Sequence, residues 1–275
     1  MNIPITSLIV VLNYGRNSVH NQKGAQLVKL KIFLCAILAL GWIAGYSQAE
    51  IDPDRIVGIW LLDEGKGDTA EDASENGRKG TITNAKWAKG KFDGALEIKK
   101  GGTVTIPLGK GIIEDKVTFI LWLNFTDIGG QQNYFSIWDQ SNNRYVPYKE
   151  GANILRSWTN TWNVTSGVTV KAGTWYHVAN VYDGETCKIY VDGEEKVSQK
   201  VPKFQLQDQD QTAWLATDKG VGFLSATIMD EVGLFNDGLT EDEVQSIMND
   251  GILFTAFAVD PSEKLPVLWG KLKAQ

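Results

Sequence analysis

Two Asp-Gly pairs, Asp183-Gly184 and Asp192-Gly193, stand nine residues apart and interrupt runs dense in β-branched and aromatic residues. The central positions of a two-residue hairpin turn take positive φ, which Asp tolerates and Gly adopts freely, so each pair predicts a reversal of the chain. Residues 175–182 lie before the first pair and residues 187–191 between the two. Reversals this closely spaced predict an antiparallel meander, and they commit this part of the chain to β-structure.

The same signature recurs upstream. Residues 56–62 and 117–124 read as strands, and 95–98 with 103–106 as a pair joined through Gly101 and Gly102. Residues 223–235 supply a further strand pair or one bent strand. One short helix is expected near the C-terminal end. Thr240 and Glu243 have capping-box spacing, Val244, Ile247 and Met248 share a face, and Gly251 stands where a left-handed cap belongs. No Pro-rich linker or repeat divides the chain from residue 50 onward. The expected organisation is an extension over 1–49, one domain over 50–255 and a tail over 256–275, within the length that sandwich folds reach as one unit. A chain of 275 residues buries roughly 70% of its unfolded surface, so its core needs neither disulfide nor metal.

The first 49 residues contain four basic residues and no Asp or Glu. Lys29 and Lys31 precede an apolar run over 32–43, and Ser47 and Ala49 put small residues at the exit. That order is the layout of a secretory signal, and the run is shorter than the roughly 20 residues a membrane span needs. Cleavage after Ala49 and a secreted or cell-surface location are therefore expected, with no stable membrane span in the mature chain. Removing the segment takes four of the 27 basic residues and none of the 33 acidic ones, leaving the remainder near −10. Such a charge repels phosphate backbones and argues against nucleic acid. Cys187 is the one cysteine left, so no intrachain disulfide is available.

With these segments in place, the chain resembles the laminin-G-like (concanavalin A-like lectin/glucanase) jelly-roll family. The resemblance rests on residues 58–67, 72–77 and 80–83 at the start, 90–96 next, then 175–184, 189–193, 228–235 and 239–244. It implies an all-β, two-sheet antiparallel jelly-roll sandwich with one short C-terminal helix. It further implies a structural calcium ion, with Asp230 at the family's metal position and Asp63 and Asp72 as further ligands. Calcium takes six to eight oxygens, which carboxylates and carbonyls provide.

Chemistry read from the residues themselves is sparse. His177 alternates with Trp175, Ala179 and Val181, the pattern of a packed structural histidine, and Cys187 alternates with Ile189 and Val191 as a buried thiol. Zinc ligands cannot be assembled in number. Related hydrolases carry Glu-x-Asp-x-x-Glu along one strand, and no such string occurs here. Asp63 with Glu64 and Asp230 with Glu231 are adjacent, so regular strands would point them to opposite faces. No catalysis is therefore expected. Trp60, Trp122 and Trp175 read as core, whereas Trp158 and Trp162 flank a polar segment close to Arg156, a combination suited to stacking on sugar rings and bonding their hydroxyls. The expected function is a secreted recognition module, not an enzyme, for glycan or another extracellular ligand. A structural or adhesive protein-interaction domain is the alternative, and a glycoside-active enzyme ranks third.

Overall fold

A computed structural model of the protein describes residues 51–220 and 222–257. The expected signal segment and residues 258–275 of the expected tail lie outside the described residues. Within them the chain is mostly antiparallel β. The first strands are β1 (Ile56–Trp60), β2 (Thr69–Ala70), β3 (Gly80–Lys89), β4 (Gly94–Lys110) and β5 (Val117–Phe125). Next come β6 (Gln132–Asn133), β7 (Phe135–Trp138), β8 (Arg144–Lys149), β9 (Ile154–Thr159) and β10 (Asn163–Thr169). The series ends with β11 (Trp175–Tyr182), β12 (Thr186–Val191), β13 (Glu194–Lys200), β14 (Asp210–Leu215) and β15 (Thr227–Phe235). Two short helices follow, α1 (Glu241–Asp250) and α2 (Ile252–Ala256), one more than the single helix expected.

The pairings form one continuous path, β10-β9-β8-β7-β14-β4-β15-β5-β11-β12-β13, with β1 on β15, β3 on β4, β2 on β3 and β6 on β8. The path folds back on itself, and β10 meets β13 from its far end. Its interior holds the main core. Alternate residues of β5, namely Val117, Phe119, Leu121, Leu123 and Phe125, enter it, while Ile120 on the other face joins a second cluster beneath the helices. A strand covered on both sides reads as an unbroken apolar run, which is why β5 is so legible in the sequence.

The turns follow local chemistry. Asp192 and Gly193 have φ of 52° and 77°, and Val191 pairs with Glu194 across them, the geometry of a two-residue type I′ turn. At the other pair, the Asp183 carboxylate accepts from the amides of Glu185 and Thr186 and closes a longer loop. The capping box is complete: the Thr240 hydroxyl accepts from the Glu243 amide, and the Glu243 carboxylate accepts from the Thr240 amide.

Two expectations change. Residues 95–98 and 103–106 are not a hairpin but parts of the single strand β4. Its register against β3 shifts between Thr83 and Ala85, because an irregularity at Gly101 and Gly102 is absorbed without reversing the chain. Trp175 is half-buried and lies outside both core clusters.

Candidate functional site

The described residues form a groove of about 270 Å³ on the outer face of the β6–β10 region, closed on one side by the loop carrying Asp218 and Phe223. Its floor follows from strand alternation. Tyr145, Leu155 and Val164 point into the core, so Val146, Trp158 and Asn163, aligned across β8, β9 and β10, point outward. Tyr148 lies two residues along β8, with Asn133 opposite it on β6. Arg144 begins β8 and pairs with Trp138 of β7. Phe223 is 52% exposed, and Gln131 completes the wall.

The groove joins flat apolar faces with fixed polar groups. The Arg144 guanidinium carbon lies 4.3 Å from the Trp138 ring centre and 4.5 Å from that of Trp158. Lys219 Nζ sits 4.7 Å from the Trp138 ring centre. The Trp138 indole N–H donates to Asp218 at 2.7 Å, yet burial still holds the Asp218 carboxyl above its ordinary range. Asn163 Nδ2 donates to the Tyr148 hydroxyl at 3.0 Å, and Gln131 Nε2 donates to Asn133 Oδ1 at 3.4 Å. Aromatic faces beside amides and a guanidinium stack on sugar rings and exchange hydrogen bonds with hydroxyls.

Of the three residues singled out in the sequence for ligand binding, Trp158 lines this groove and the other two do not. Trp162 is corrected to a core residue. The turn between β9 and β10, where the Thr159 hydroxyl accepts from the amides of Thr161 and Trp162, tucks its ring inward. There it packs against Tyr145, Tyr182 and Phe204 at 6.3, 5.5 and 6.4 Å. Arg156 lies beside the groove on β9, and its Nε pairs with Glu150 at 2.6 Å. The guanidinium in the groove belongs to Arg144. Strand alternation places Arg144, Val146 and Tyr148 on one face, but Pro147, which cannot donate to a ladder, argues against reading 144–149 as a strand from sequence.

The acids expected to hold calcium divide. Asp72 does not fit a cation: its Oδ1 accepts from the Ile59 and Ser74 amides and the Ser74 hydroxyl, and its Oδ2 from the Arg78 amide. It is a loop organiser. Asp230 is fully buried, and its Oδ2 accepts from the amides of Lys91 and Phe92 at 2.8 and 3.0 Å. Its Oδ1 has no hydrogen-bond partner among the described residues. Asp63 accepts from the Gly94 amide at 2.6 Å. Burial first, with the nearby Asp63 charge adding to it, pushes the Asp230 carboxyl up to about 6. Among the described residues no group of three or more His, Cys, Asp or Glu side chains converges on one point. Of the three acids expected to hold calcium, Asp230 and Asp63 alone are coupled, through the Asp63 charge acting on Asp230.

Adjacent acids on a regular strand would face opposite ways, yet Asp230 and Glu231 are both buried. Glu231 has φ of 53°, and the register against β5 shifts between Asp230 and Gly233, so a bulge leaves both on the face opposite the core residues Met229 and Val232, buried beneath the 91–92 loop and α2. Glu231 accepts from the Ile252 amide at the start of α2, and burial pushes its carboxyl up to about 7. His177 is buried against Trp122 at 5.1 Å with both ring nitrogens unpartnered among the described residues. Cys187 is buried, and its thiol is pushed up to about 12 by that burial.

Comparison with known proteins places the fold. A family described as the concanavalin A-like lectin/glucanases superfamily matches residues 99–245. No curated protein matches the sequence. Domain 4 of a GH43 extracellular arabinanase from Geobacillus stearothermophilus, solved with arabinotriose, is similar at 19% identity and a TM-score of 0.59, over 71% of this chain and 98% of that one. Trypanosoma rangeli sialidase is similar at 14% identity and a TM-score of 0.55, over 70% of this chain. The binding domain of Paraclostridial Mosquitocidal Protein 1 is similar at 13% identity and a TM-score of 0.56, over 72% of this chain. The matches cover 32% of the sialidase chain and 52% of the mosquitocidal chain. These likenesses correct the expectation that the chain is not an enzyme. The fold occurs within an arabinanase and a sialidase, so a missing Glu-x-Asp-x-x-Glu string does not set this chain apart from glycoside-acting proteins. Among the described residues no helix is long and apolar enough to cross a membrane.

Proposed function

The chain belongs to the concanavalin A-like lectin/glucanases superfamily, and on that premise we propose that it recognises glycan through the groove over β6–β10. One observation carries the reading: Trp158, Tyr148 and Phe223 line a single depression together with Gln131, Asn133, Asn163 and Arg144. Aromatic rings supply stacking area at low conformational cost, and the amides supply both donors and acceptors for hydroxyls. We read the continuous ladder as the two leaves of a jelly-roll sandwich, with the groove on the outside of one leaf. The signal-like order of residues 29–49 supports export of the domain to where extracellular glycans are met.

Calcium enters the proposal at Asp230 and Asp63 alone. The Asp63 charge adds to the burial that raises the Asp230 carboxyl, whose Oδ1 is buried without a partner among the described residues, and a divalent cation would relieve both.

The test is binding of the domain to a glycan panel, repeated with Trp158→Ala. A glycan retained by the wild type and released by the variant, at unchanged melting temperature, supports the groove. Undiminished binding by Trp158→Ala places recognition elsewhere.

A further inference from the structure

Arg144 is the feature of the groove that recognition of neutral sugars leaves unexplained. Its guanidinium makes no salt bridge among the described residues, and its Nε is buried without a partner there. Asp218 is the one carboxylate among the described lining residues, and it already accepts from the Trp138 indole. Against it stand two cations, Arg144 and Lys219, both over the Trp138 ring. The protein as a whole is acidic, at −6, so a local excess of positive charge runs against its average. Charges beyond about 8 Å are largely screened at physiological salt, so the local balance governs what enters.

We propose that the groove selects glycans bearing a carboxylate, with Arg144 as the residue that receives it; this rests on the glycan-binding reading above. The Arg144 guanidinium carbon, 4.3 and 4.5 Å from the Trp138 and Trp158 ring centres, is held beside the groove by two aromatic faces. A guanidinium held in this way meets a planar carboxylate with two parallel hydrogen bonds, a match an ammonium cannot reproduce. Trp158 and Tyr148 then present apolar area to the ring carrying the acid, and Asn133 and Asn163 bond its hydroxyls. Uronic acids and sialic acids share this chemistry.

The experiment uses the wild-type protein with four probes: polygalacturonate, the same polymer with its carboxyls reduced to alcohols, 3′-sialyllactose and dextran sulfate. Binding of polygalacturonate or of sialyllactose, at least tenfold tighter than of the reduced polymer, is the expected result, and which of the two binds identifies the source of the acid. Arg144→Gln should weaken that binding at least tenfold, and Arg144→Lys should recover only part of it. Equal binding of native and reduced polymer, with no preference for 3′-sialyllactose over the reduced polymer, overturns the selectivity while leaving glycan recognition standing. Dextran sulfate bound as tightly, and equally by Trp158→Ala, overturns it in favour of unselective polyanion attraction. If neither these probes nor any neutral glycan binds, the glycan reading itself falls. The wild-type comparison of the two acidic probes with the reduced polymer decides the matter even if the Arg144 variants fold poorly.

Discussion

Trp158 and Trp162 stand four residues apart and have opposite surroundings. Trp158 lies near the end of β9 on its outer face, whereas Trp162 leaves a turn into the core with 7% exposure. Trp162→Ala should therefore cost about 3–5 kcal/mol, the range for truncating a buried aromatic. Trp158→Ala should cost much less stability and act on binding. Urea unfolding of both variants checks this, and equal losses would contradict the assignment. His177 offers a test through pH. Burial holds its imidazole down to about 3, against about 6.5 in an unfolded chain. Below pH 6.5 the unfolded chain takes up a proton that the folded site resists. The contribution of His177 is thus fully present above 6.5 and is lost as pH falls toward 3, at up to about 1.4 kcal/mol per pH unit. Between pH 7 and pH 5 the wild type should lose about 2 kcal/mol more than His177→Gln. Parallel pH profiles would show that the ring is solvated.

At the scale of single elements, the β12–β13 hairpin and α1 test each other. Gly193 has φ of 77°, and a Cβ there would lie 2.9 Å from the Met248 methyl carbon on α1. Gly193→Ala should destabilise by about 1–2 kcal/mol from backbone strain, with the flexible Met248 end giving way. On the other side, Thr240→Ala removes the acceptor for the Glu243 amide and should cost about 1 kcal/mol. Glu243 also accepts from Arg55 at 2.5 Å, which ties α1 to the chain just before β1. Thermal melts of the two single variants and the double variant measure the effects. Losses well below about 0.5 kcal/mol in both would mean that the helix end and the turn carry little strain.

For the whole molecule the decisive prediction is cation linkage. A ligand that binds only the folded state stabilises it by about 2.7 kcal/mol at one hundred times its Kd, and for a domain of this size each kcal/mol moves the melting point by about 2–4 °C. EGTA should therefore lower the melting temperature by several degrees, and Asp230→Asn should remove the difference. An unmoved wild-type melting curve, with no calcium by elemental analysis, would leave Asp230 as a buried acid that ties the 91–92 loop to β15.

What the sequence determined by itself is the part of the chain governed by local rules. The Asp192-Gly193 turn, the capping box at Thr240 and the doubly buried β5 are each specified within a few residues, by positive φ, by an amide and its acceptor, and by unbroken hydrophobicity. Those elements were legible and led to an all-β fold. The groove was legible only through Trp158, because the strands β6–β10 that build it are short and mix polar and apolar residues without a clean period. Tertiary structure alone decided which guanidinium faces the groove: Arg156 is taken by Glu150, and Arg144 lies against two indole rings with no salt bridge among the described residues. It alone set Asp230 and Glu231 on one face together, under the 91–92 loop and α2, through a bulge that alternation cannot anticipate. Both outcomes depend on partners distant in the chain, and an adjacent pair of acids or an Arg beside a Trp carries no local mark of what the folded sheet will bring against it.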